Sequence, residues 1–393
     1  MKKLTAFLTA LVLFLVSAAG MHFYAESRIT VNNNAFSFWA IEKKFVAREA
    51  LTKNINADTV AVFGSSEFQH GRKTPYHPGN MFAGNKFNMM LIGAGYYQSL
   101  SHALTLASIG NDLPTKEAVL FISPQWFRSD GVLPEPFSSR FSETHYIGML
   151  QNPNLSKTTK TYIIERVKTL LKADPPALER TELYEKVLSG NASFSERLNY
   201  RLYTSFLKEK ELQSVAIRMA RDGIKKNASL SSSEREPDFQ ALMDQAGKDG
   251  EKENSGNPFF MDDSSYRLFI RPFLKAKKNQ SVNGSYSTSP EYADLECFLH
   301  VCQDLGIRPL LVSLPVNGYW YDYTGFPKKE RQIYYEKIRQ VAKKYGAELA
   351  DFADQEYTKY FFEDGVHIGK KGWVMINESI YRFYQKNKTD KTL

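Results

Sequence analysis

The sequence predicts an α/β fold of the flavodoxin-like type, in which a five-stranded parallel sheet is covered by helices on both faces. Five short apolar or β-branched runs indicate the strands, and each is followed by turn residues or by a helical pattern. Such alternation of strands and helices is typical of a parallel sheet. The composition, with 42% hydrophobic and 24% charged residues among 393, excludes wholesale disorder and a polytopic membrane protein.

The order of these patterns along the chain places the individual elements. We expect the strands at residues 59–63, 87–92, 118–123, 308–314 and 347–352. Helical periodicity predicts helices at residues 96–109, 290–305, 328–345 and 370–384. In open α/β sheets, ligands bind outside the carboxyl ends of the strands. We therefore expect the functional site at that edge of the sheet.

The stretch 150–285 interrupts the alternation and is predicted to be a mainly helical insertion between the third and fourth strands. Its first part, residues 158–219, has helical patterns with charged faces. Its second part, residues 225–257, is rich in Ser, Lys, Glu and Gly. We expect this second part to be a mobile loop, because it has few large apolar residues to bury. The sequence thus predicts one α/β domain at residues 26–393 that carries the insertion.

The N-terminus has the features of a membrane-targeting segment. Lys2 and Lys3 precede residues 4–21, which carry no charge and would span roughly 27 Å as a helix. A signal peptide cleaved near residues 17–20 fits this pattern, and so does an uncleaved anchor at residues 1–25. Either alternative places residues 26–393 outside the cytoplasmic membrane.

Charge and cysteine content limit the class of partner and of site. The chain has 51 Lys and Arg against 43 Asp and Glu, a net charge of +8. Such an excess attracts polyanions. Because the chain is exported, we expect an anionic cell-wall polymer or an anionic lipid surface rather than nucleic acid. Cys297 and Cys302 lie five residues apart on a predicted helix, too far for easy bridging. A disulfide framework and a cysteine-based zinc site are excluded.

The sharpest candidate for a nucleophile follows the first predicted strand. The segment at residues 64–67 reads Gly-Ser-Ser-Glu and places a hydroxyl at the start of a helix. The backbone N–H groups there favour a developing oxyanion. The alternative is that Ser65 or Ser66 only caps the helix, as serine does at many helix starts.

A base for this hydroxyl is available near the other end of the chain. In the segment Glu-Asp-Gly-Val-His-Ile-Gly at residues 363–369, Asp364 precedes His367 by three residues. A serine nucleophile needs an imidazole to remove its proton and a carboxylate to orient that imidazole. The alternative is an ordinary polar turn before the last helix. Combined in the order Ser, Asp, His on an α/β frame, the two segments predict an acyl-transfer site.

Oxyanion donors and a substrate surface are expected at the same edge of the sheet. Gly93 and Gly95 offer unhindered backbone N–H groups, and Gln125 offers a carboxamide. The expected substrate-binding residues are aromatic: Trp126, Tyr319, Trp320, Tyr321 and Tyr323. The alternatives are turn glycines, a polar cap and a packed loop core. A metal site on Asp364 and His367 would need a third ligand, and none of the other histidines has a carboxylate at a matching spacing.

These residues resemble the SGNH hydrolases and, more narrowly, the DltD family of D-alanyl-lipoteichoic acid biosynthesis proteins. The similar segments are Gly-Ser-Ser-Glu, Gly-Ala-Gly-Tyr-Tyr-Gln-Ser-Leu, Ser-Pro-Gln-Trp-Phe, Pro-Val-Asn-Gly and Glu-Asp-Gly-Val-His-Ile-Gly. The resemblance implies that Ser66 is the nucleophile, His367 the general base and Asp364 the residue that orients it. Gln125 stands where SGNH enzymes have an oxyanion-hole Asn, and Gly93 or Gly95 where they have Gly.

The resemblance also implies a function. It indicates a membrane-anchored extracellular acyltransferase that takes D-alanine onto a serine and transfers it to glycerol hydroxyls of lipoteichoic acid. It favours a retained single-pass anchor and implies no cofactor. The implied partners are lipoteichoic acid, a membrane O-acyltransferase of the same pathway and the D-alanyl carrier protein. The alternatives are a secreted SGNH esterase or thioesterase, and a non-catalytic scaffold that docks the carrier protein or the acyltransferase.

Overall fold

The centre of the molecule is a five-stranded parallel sheet in the order β2-β1-β3-β4-β5. The computed structural model describes residues 2–29, 34–225 and 233–390. The strands are β1 Thr59–Phe63, β2 Asn88–Ile92, β3 Glu117–Ile122, β4 Arg308–Ser313 and β5 Glu348–Asp351. In the register of the sheet, β1 lies between β2 and β3, with Val62 opposite Leu91 on one side and Val119 on the other. This is the flavodoxin-like strand order, so the predicted fold class is confirmed.

Helices surround the sheet and make up most of the remaining chain. The α-helices of the described residues are α1 Lys2–Ile29, α2 Asn34–Phe38, α3 Glu42–Val46, α4 Arg48–Thr52, α5 Pro78–Met81, α6 Ser99–Ile109, α7 Pro134–Arg140, α8 Glu143–Gln151, α9 Lys157–Leu170, α10 Pro175–Leu188, α11 Phe194–Arg221, α12 Phe239–Lys252, α13 Asp263–Ser265, α14 Leu274–Lys277, α15 Glu291–Asp304, α16 Gly318–Thr324, α17 Lys328–Tyr345 and α18 Lys370–Asp390. Several short 3₁₀ turns connect them, among them Ser66–Gln69 after β1 and Pro124–Trp126 after β3.

The hydrophobic core covers both faces of the sheet. Every residue of β1, β2 and β3 is buried, which explains why these strands read as continuous apolar runs. On one face, the ring of Phe63 packs edge-on against Phe298 of α15 at 5.5 Å. On the other face, Phe121 of β3 packs against Trp373 of α18 at 6.2 Å. Successive strand residues point to opposite faces, so the two helices cover opposite sides of the sheet.

Helices α9 to α11 lie in the first part of the predicted insertion, but its second part differs from the expectation. Residues 239–252 form α12 rather than a mobile loop. Phe239 and Ala246 are buried, and Phe239 packs on Tyr381 of α18 at 5.8 Å. The two residues lie seven positions apart on one helix face, a signal that the polar composition of the segment concealed. Residues 226–232 of the predicted loop lie outside the described residues.

The N-terminal helix α1 is a candidate for a membrane span. It has 28 residues and contains an 18-residue window of mean hydropathy 2.2, none of which is buried in the protein. At 1.5 Å per residue this length exceeds a hydrocarbon core of about 30 Å. The last turns of α1 pack on the domain: Ala25 and Ile29 are buried, and His22 Nδ1 lies 2.7 Å from the carboxylate of Glu209 on α11. The apolar helix is therefore continuous with the domain.

Candidate functional site

Ser66 lies at the carboxyl end of the central strand β1, where the site was expected. The strand ends at Phe63, and Ser66 opens a single 3₁₀ turn rather than a full helix. The Ser65 hydroxyl donates to the carbonyl of Ala94 at 3.1 Å and does not cap the turn. The Ser65 N–H donates to the carboxylate of Glu67 at 2.7 Å. This capping of the backbone by Glu67 leaves the Ser66 hydroxyl available for another partner.

That partner is the imidazole of His367. The Oγ atom of Ser66 lies 2.9 Å from Nε2 of His367, although the two residues are 301 positions apart in the chain. On the other side of the ring, Nδ1 lies 2.7 Å from Oδ2 of Asp364. The structure thus brings Ser66, His367 and Asp364 into one hydrogen-bonded series. This is the arrangement of nucleophile, base and orienting carboxylate that acyl transfer requires.

The loop that carries His367 is stabilised by hydrogen bonds within residues 362–368. Phe362 and Ile368 form an antiparallel bridge, and the Glu363 N–H donates to the carbonyl of His367 at 3.0 Å. The second oxygen of Asp364, Oδ1, accepts the N–H groups of Val366 and His367 at 2.8 Å each. One carboxylate therefore fixes both the backbone of the turn and the imidazole ring.

The electrostatics of this series favour a charged Asp364 beside a basic His367. Burial alone would raise the pKa of Asp364, but the hydrogen bond and charge of His367 and the two N–H groups hold it below its usual value. Burial would lower the pKa of His367, but Asp364, and then the charges of Glu67 and Glu363, raise it. Because its pKa is raised, the imidazole is a stronger proton acceptor.

A second histidine–carboxylate pair covers the first one. The ring of His70 stacks on that of His367 with centroids 3.5 Å apart and planes 8° from parallel. Nδ1 of His70 is hydrogen-bonded to Glu363. No carboxylate lies at a matching spacing from His70 in the sequence, and the partner that the fold supplies is 293 residues away. Glu363 is the neighbour of Asp364, so one loop supplies the carboxylates of both pairs.

His70 is also the third ligand that a metal site on Asp364 and His367 would need. One ligand atom from each of these three residues lies within 4.8 Å of the others. The two imidazole rings are stacked, however, and lone pairs that lie in parallel ring planes do not converge on one ion. The arrangement fits proton transfer better than metal binding.

The expected oxyanion donors take different positions around Ser66. Gly93 has a φ of 142°, and a Cβ at this position would overlap the carbonyl oxygen of Gly64, so Gly93 packs against the end of β1. Gly95 lies nearer the nucleophile, since a Cβ added there would be 4.0 Å from Cβ of Ser66. Gln125 is half-buried on the 3₁₀ turn after β3. The oxyanion roles of Gly93 and Gln125 remain predictions.

The aromatic residues expected to bind substrate are mostly packed, as the alternative of a loop core requires. Residues 318–324 form α16 rather than an open loop. The hydroxyl of Tyr319 donates to the carbonyl of Tyr357, and that of Tyr323 to the carbonyl of Leu274, each at 2.9 Å. The hydroxyl of Tyr321 is hydrogen-bonded to that of Tyr286 at 2.9 Å. Trp126 is only 4% exposed. Trp320 supports the base loop, because a Cβ on Gly365 would lie 3.1 Å from its ring.

An open cavity of about 470 Å³ lies above Ser66. The nucleophile side of the cavity consists of Ser66, Gln69, His70, Ala94 and Gly95. The rest of the lining comes from residues 39–42, together with Arg72, Arg218 and Asp222. None of these residues was predicted from the sequence, since nothing in their local pattern marks them as part of a site. The cavity gives a substrate access to the hydroxyl of Ser66.

Comparison with known proteins identifies the family of this chain. The family model described as DltD protein matches residues 33–385. Protein DltD of Bacillus subtilis (strain 168) is 33% identical over 332 residues, which cover 83% of this chain and 82% of that protein. Protein DltD of Staphylococcus aureus (strain NCTC 8325 / PS 47) is 29% identical over 81% of this chain and 79% of its own length. Protein DltD of Lacticaseibacillus rhamnosus is 24% identical over 93% of this chain and 86% of its own length. The chain belongs to the DltD family.

Proposed function

We propose that this protein is a membrane-anchored acyltransferase that takes D-alanine onto Ser66 and transfers it to glycerol hydroxyls of lipoteichoic acid. The observation that carries the proposal is the hydrogen-bonded series Ser66–His367–Asp364 beneath an open cavity. Family membership supplies the chemistry, because the DltD resemblance implies D-alanylation of teichoic acid. The site supports the mechanism, because the three side chains are hydrogen-bonded in the order of nucleophile, base and orienting carboxylate that serine acyl transfer uses.

The first step loads the enzyme. As Oγ of Ser66 attacks the carbonyl carbon of the D-alanyl donor, Nε2 of His367 accepts the hydroxyl proton. The imidazolium is stabilised by Asp364 on its far side. Collapse of the tetrahedral intermediate breaks the bond to the donor, and His367 returns the proton to the leaving group. The product is a D-alanyl ester of Ser66.

The second step reverses the roles. A glycerol hydroxyl of the polymer takes the place of the leaving group, and His367 removes its proton as the oxygen attacks the ester carbonyl. The bond to Ser66 breaks, and Oγ recovers the proton from His367. In both steps the oxyanion needs N–H donors. The backbone at Ala94 and Gly95 borders Ser66 in the cavity, and Gly93 and Gln125 are the further candidates.

Two features of the charge distribution indicate where the reaction takes place and on which polymer. Lys2 and Lys3 precede the apolar part of α1, and the positive-inside bias would keep them in the cytoplasm and the catalytic domain outside. The net charge of +8 suits an anionic polymer such as lipoteichoic acid. The D-alanyl donor would come from the membrane O-acyltransferase or the carrier protein of the same pathway.

The test is the amount of D-alanyl ester in the cell wall of a strain that carries Ser66→Ala. We expect a loss as large as that of a gene deletion, because the substitution removes the atom that bears the acyl group. Wild-type ester content in this strain, with normal protein levels in the membrane, would instead support a scaffold. An esterase would show itself in vitro by hydrolysing the D-alanyl ester faster than it transfers the acyl group to glycerol phosphate.

The pH dependence of acylation provides a second prediction. The negative charge of Glu363 contributes to the raised pKa of His367. His367 must be neutral to act as a base, so activity falls as the pH drops through this pKa. Replacing Glu363 with Gln removes the charge, lowers the pKa of His367 and moves the acid limb of the pH–rate profile to lower pH. The profile is measured as the rate of fluorophosphonate labelling.

The matched control for this measurement is Glu251→Gln, an exposed carboxylate on α12, which should leave the acid limb in place. An acid limb of Glu363→Gln that stays at the wild-type pH, or moves to higher pH, would contradict the electrostatic role of the second histidine–carboxylate pair.

A further inference from the structure

The cavity above Ser66 contains charged side chains that the proposed reaction has not used. Arg218 and Asp222 neutralise each other, since Nε of Arg218 lies 2.9 Å from both carboxylate oxygens of Asp222. Nε1 of Trp39 donates to the same carboxylate at 3.1 Å. This part of the wall is a structural ion pair. It leaves Glu42 and Arg72 as the other carboxylate and guanidinium that line the cavity.

Glu42 is a half-buried carboxylate that has no counterion among the residues that the structure describes. It is the first residue of α3 and faces the cavity. Among the described parts of the chain, its carboxylate has no hydrogen bond or ion pair. Glu42 lines the same cavity as Ser66, Ala94 and Gly95. An acyl group on Ser66 would enter this cavity, beside the backbone where the oxyanion donors are expected.

Arg72 is a cationic side chain that lines the cavity close to the histidine pair. It follows His70 by two residues, and His70 stacks on His367. The side chain is exposed and lines the cavity, and within residues 2–29, 34–225 and 233–390 its guanidinium makes no hydrogen bond or ion pair. The incoming hydroxyl must approach His367 to lose its proton. Arg72 lines the same cavity as Ser66 and His70, which such an acceptor would enter.

We propose that Glu42 binds the ammonium group of the D-alanyl unit and that Arg72 binds a phosphate group of the acceptor. The inference rests on the proposed function and names the groups that would recognise its two substrates. In a D-alanyl ester the ammonium is two bonds from the carbonyl carbon, so a carboxylate beside the oxyanion site meets it. In a glycerol phosphate polymer each free hydroxyl is close to a phosphate, and an arginine is well suited to bind one. An unpaired carboxylate and an unpaired guanidinium in one cavity thus match the charges of the two reactants.

The ammonium site is tested with two acyl donors that differ only in the charge. The full chain in detergent micelles is incubated with the N-acetylcysteamine thioesters of D-alanine and of propionic acid, and the acylation rate of Ser66 is measured with each. Glu42→Gln is expected to lower the ratio of the D-alanyl to the propionyl rate by at least about tenfold, the effect of losing a charged hydrogen bond. The control Glu179→Gln, an exposed carboxylate of α10, should keep the wild-type ratio. An unchanged ratio for Glu42→Gln, including a parallel fall of both rates, would overturn the assignment.

The phosphate site is tested in the same way with two acceptors. Transfer of D-alanine from Ser66 is measured to glycerol 1-phosphate and to glycerol. Arg72→Gln is expected to lower the preference for glycerol 1-phosphate by at least about tenfold, whereas Lys73→Gln, the exposed cation next to it, should keep that preference. An equal loss with both acceptors, or no loss, would overturn the role of Arg72.

The proposed function and this inference fail separately. An uncharged fluorophosphonate reports the reactivity of Ser66 independently of Glu42 and Arg72. If it does not label the wild-type protein at Ser66, the proposed function fails. If it labels Ser66 and the two preferences do not change in the variants, only the assignment of Glu42 and Arg72 fails.

Discussion

Replacing His367 with Ala is expected to lower the rate at which a fluorophosphonate labels Ser66 by at least about 10⁴-fold, because loss of the triad histidine alone costs about 10⁶-fold in kcat. The reason is the 2.9 Å contact between the imidazole and Oγ of Ser66. Without the base, the hydroxyl keeps its proton and is a weak nucleophile at neutral pH. The rate is measured on the full chain in detergent by gel fluorescence over time.

The control for this variant is His300→Ala. His300 lies on α15, and its ring contacts the hydroxyl of Tyr345 at 3.0 Å, away from the residues of the cavity. It should label at the wild-type rate. A His367→Ala protein with a wild-type melting temperature that labels within about tenfold of wild type would show that the base assignment is wrong.

Replacing Gly93 with Ala is expected to have the largest effect on folding. The added Cβ would overlap the carbonyl oxygen of Gly64, and the φ of 142° is a conformation that L side chains rarely adopt. Relief requires β1 and β2 to separate where the Gly64 N–H donates to the carbonyl of Ile92 at 3.1 Å. We expect a loss of at least about 3 kcal/mol in the free energy of unfolding, measured by urea denaturation.

Gly84→Ala separates the two causes of this loss. Gly84 also has a positive φ, 76°, but an added Cβ there meets no atom within 4 Å. The control therefore includes the backbone strain without the overlap, and we expect a loss of about 1 kcal/mol. If Gly93→Ala were as mild as Gly84→Ala, the close approach of the two strand ends at the nucleophile would be contradicted.

The sheet and the three proposed catalytic residues were predictable because their signals are local. Strands buried on both faces are continuous apolar runs, and β1, β2 and β3 are such runs. The topology then brings their carboxyl ends to one edge, so a serine after β1 is placed correctly without further information. The Asp364 to His367 spacing is a short turn whose hydrogen bonds join residues at most three positions apart.

The remaining features depend on contacts that no local pattern shows. The packing of α12 on α18 depends on a few apolar residues in a polar segment. His70 acquires its role only because the fold places it on the ring of His367 and beside Glu363. The aromatic side chains of α16 are mostly packed, and their role in binding substrate stays a prediction, since a run of aromatic residues after a strand is as compatible with a core as with a binding surface.

The most direct test of the central claim is to find the acyl group on the enzyme. The full chain is incubated with the D-alanyl thioester of N-acetylcysteamine, quenched in acid, and analysed by peptide mass spectrometry. We expect a D-alanyl ester on the peptide that contains Ser66. This ester should be absent from Ser66→Ala and should disappear faster when glycerol 1-phosphate is added. A D-alanyl group on another residue, or one that persists in Ser66→Ala, would contradict the account.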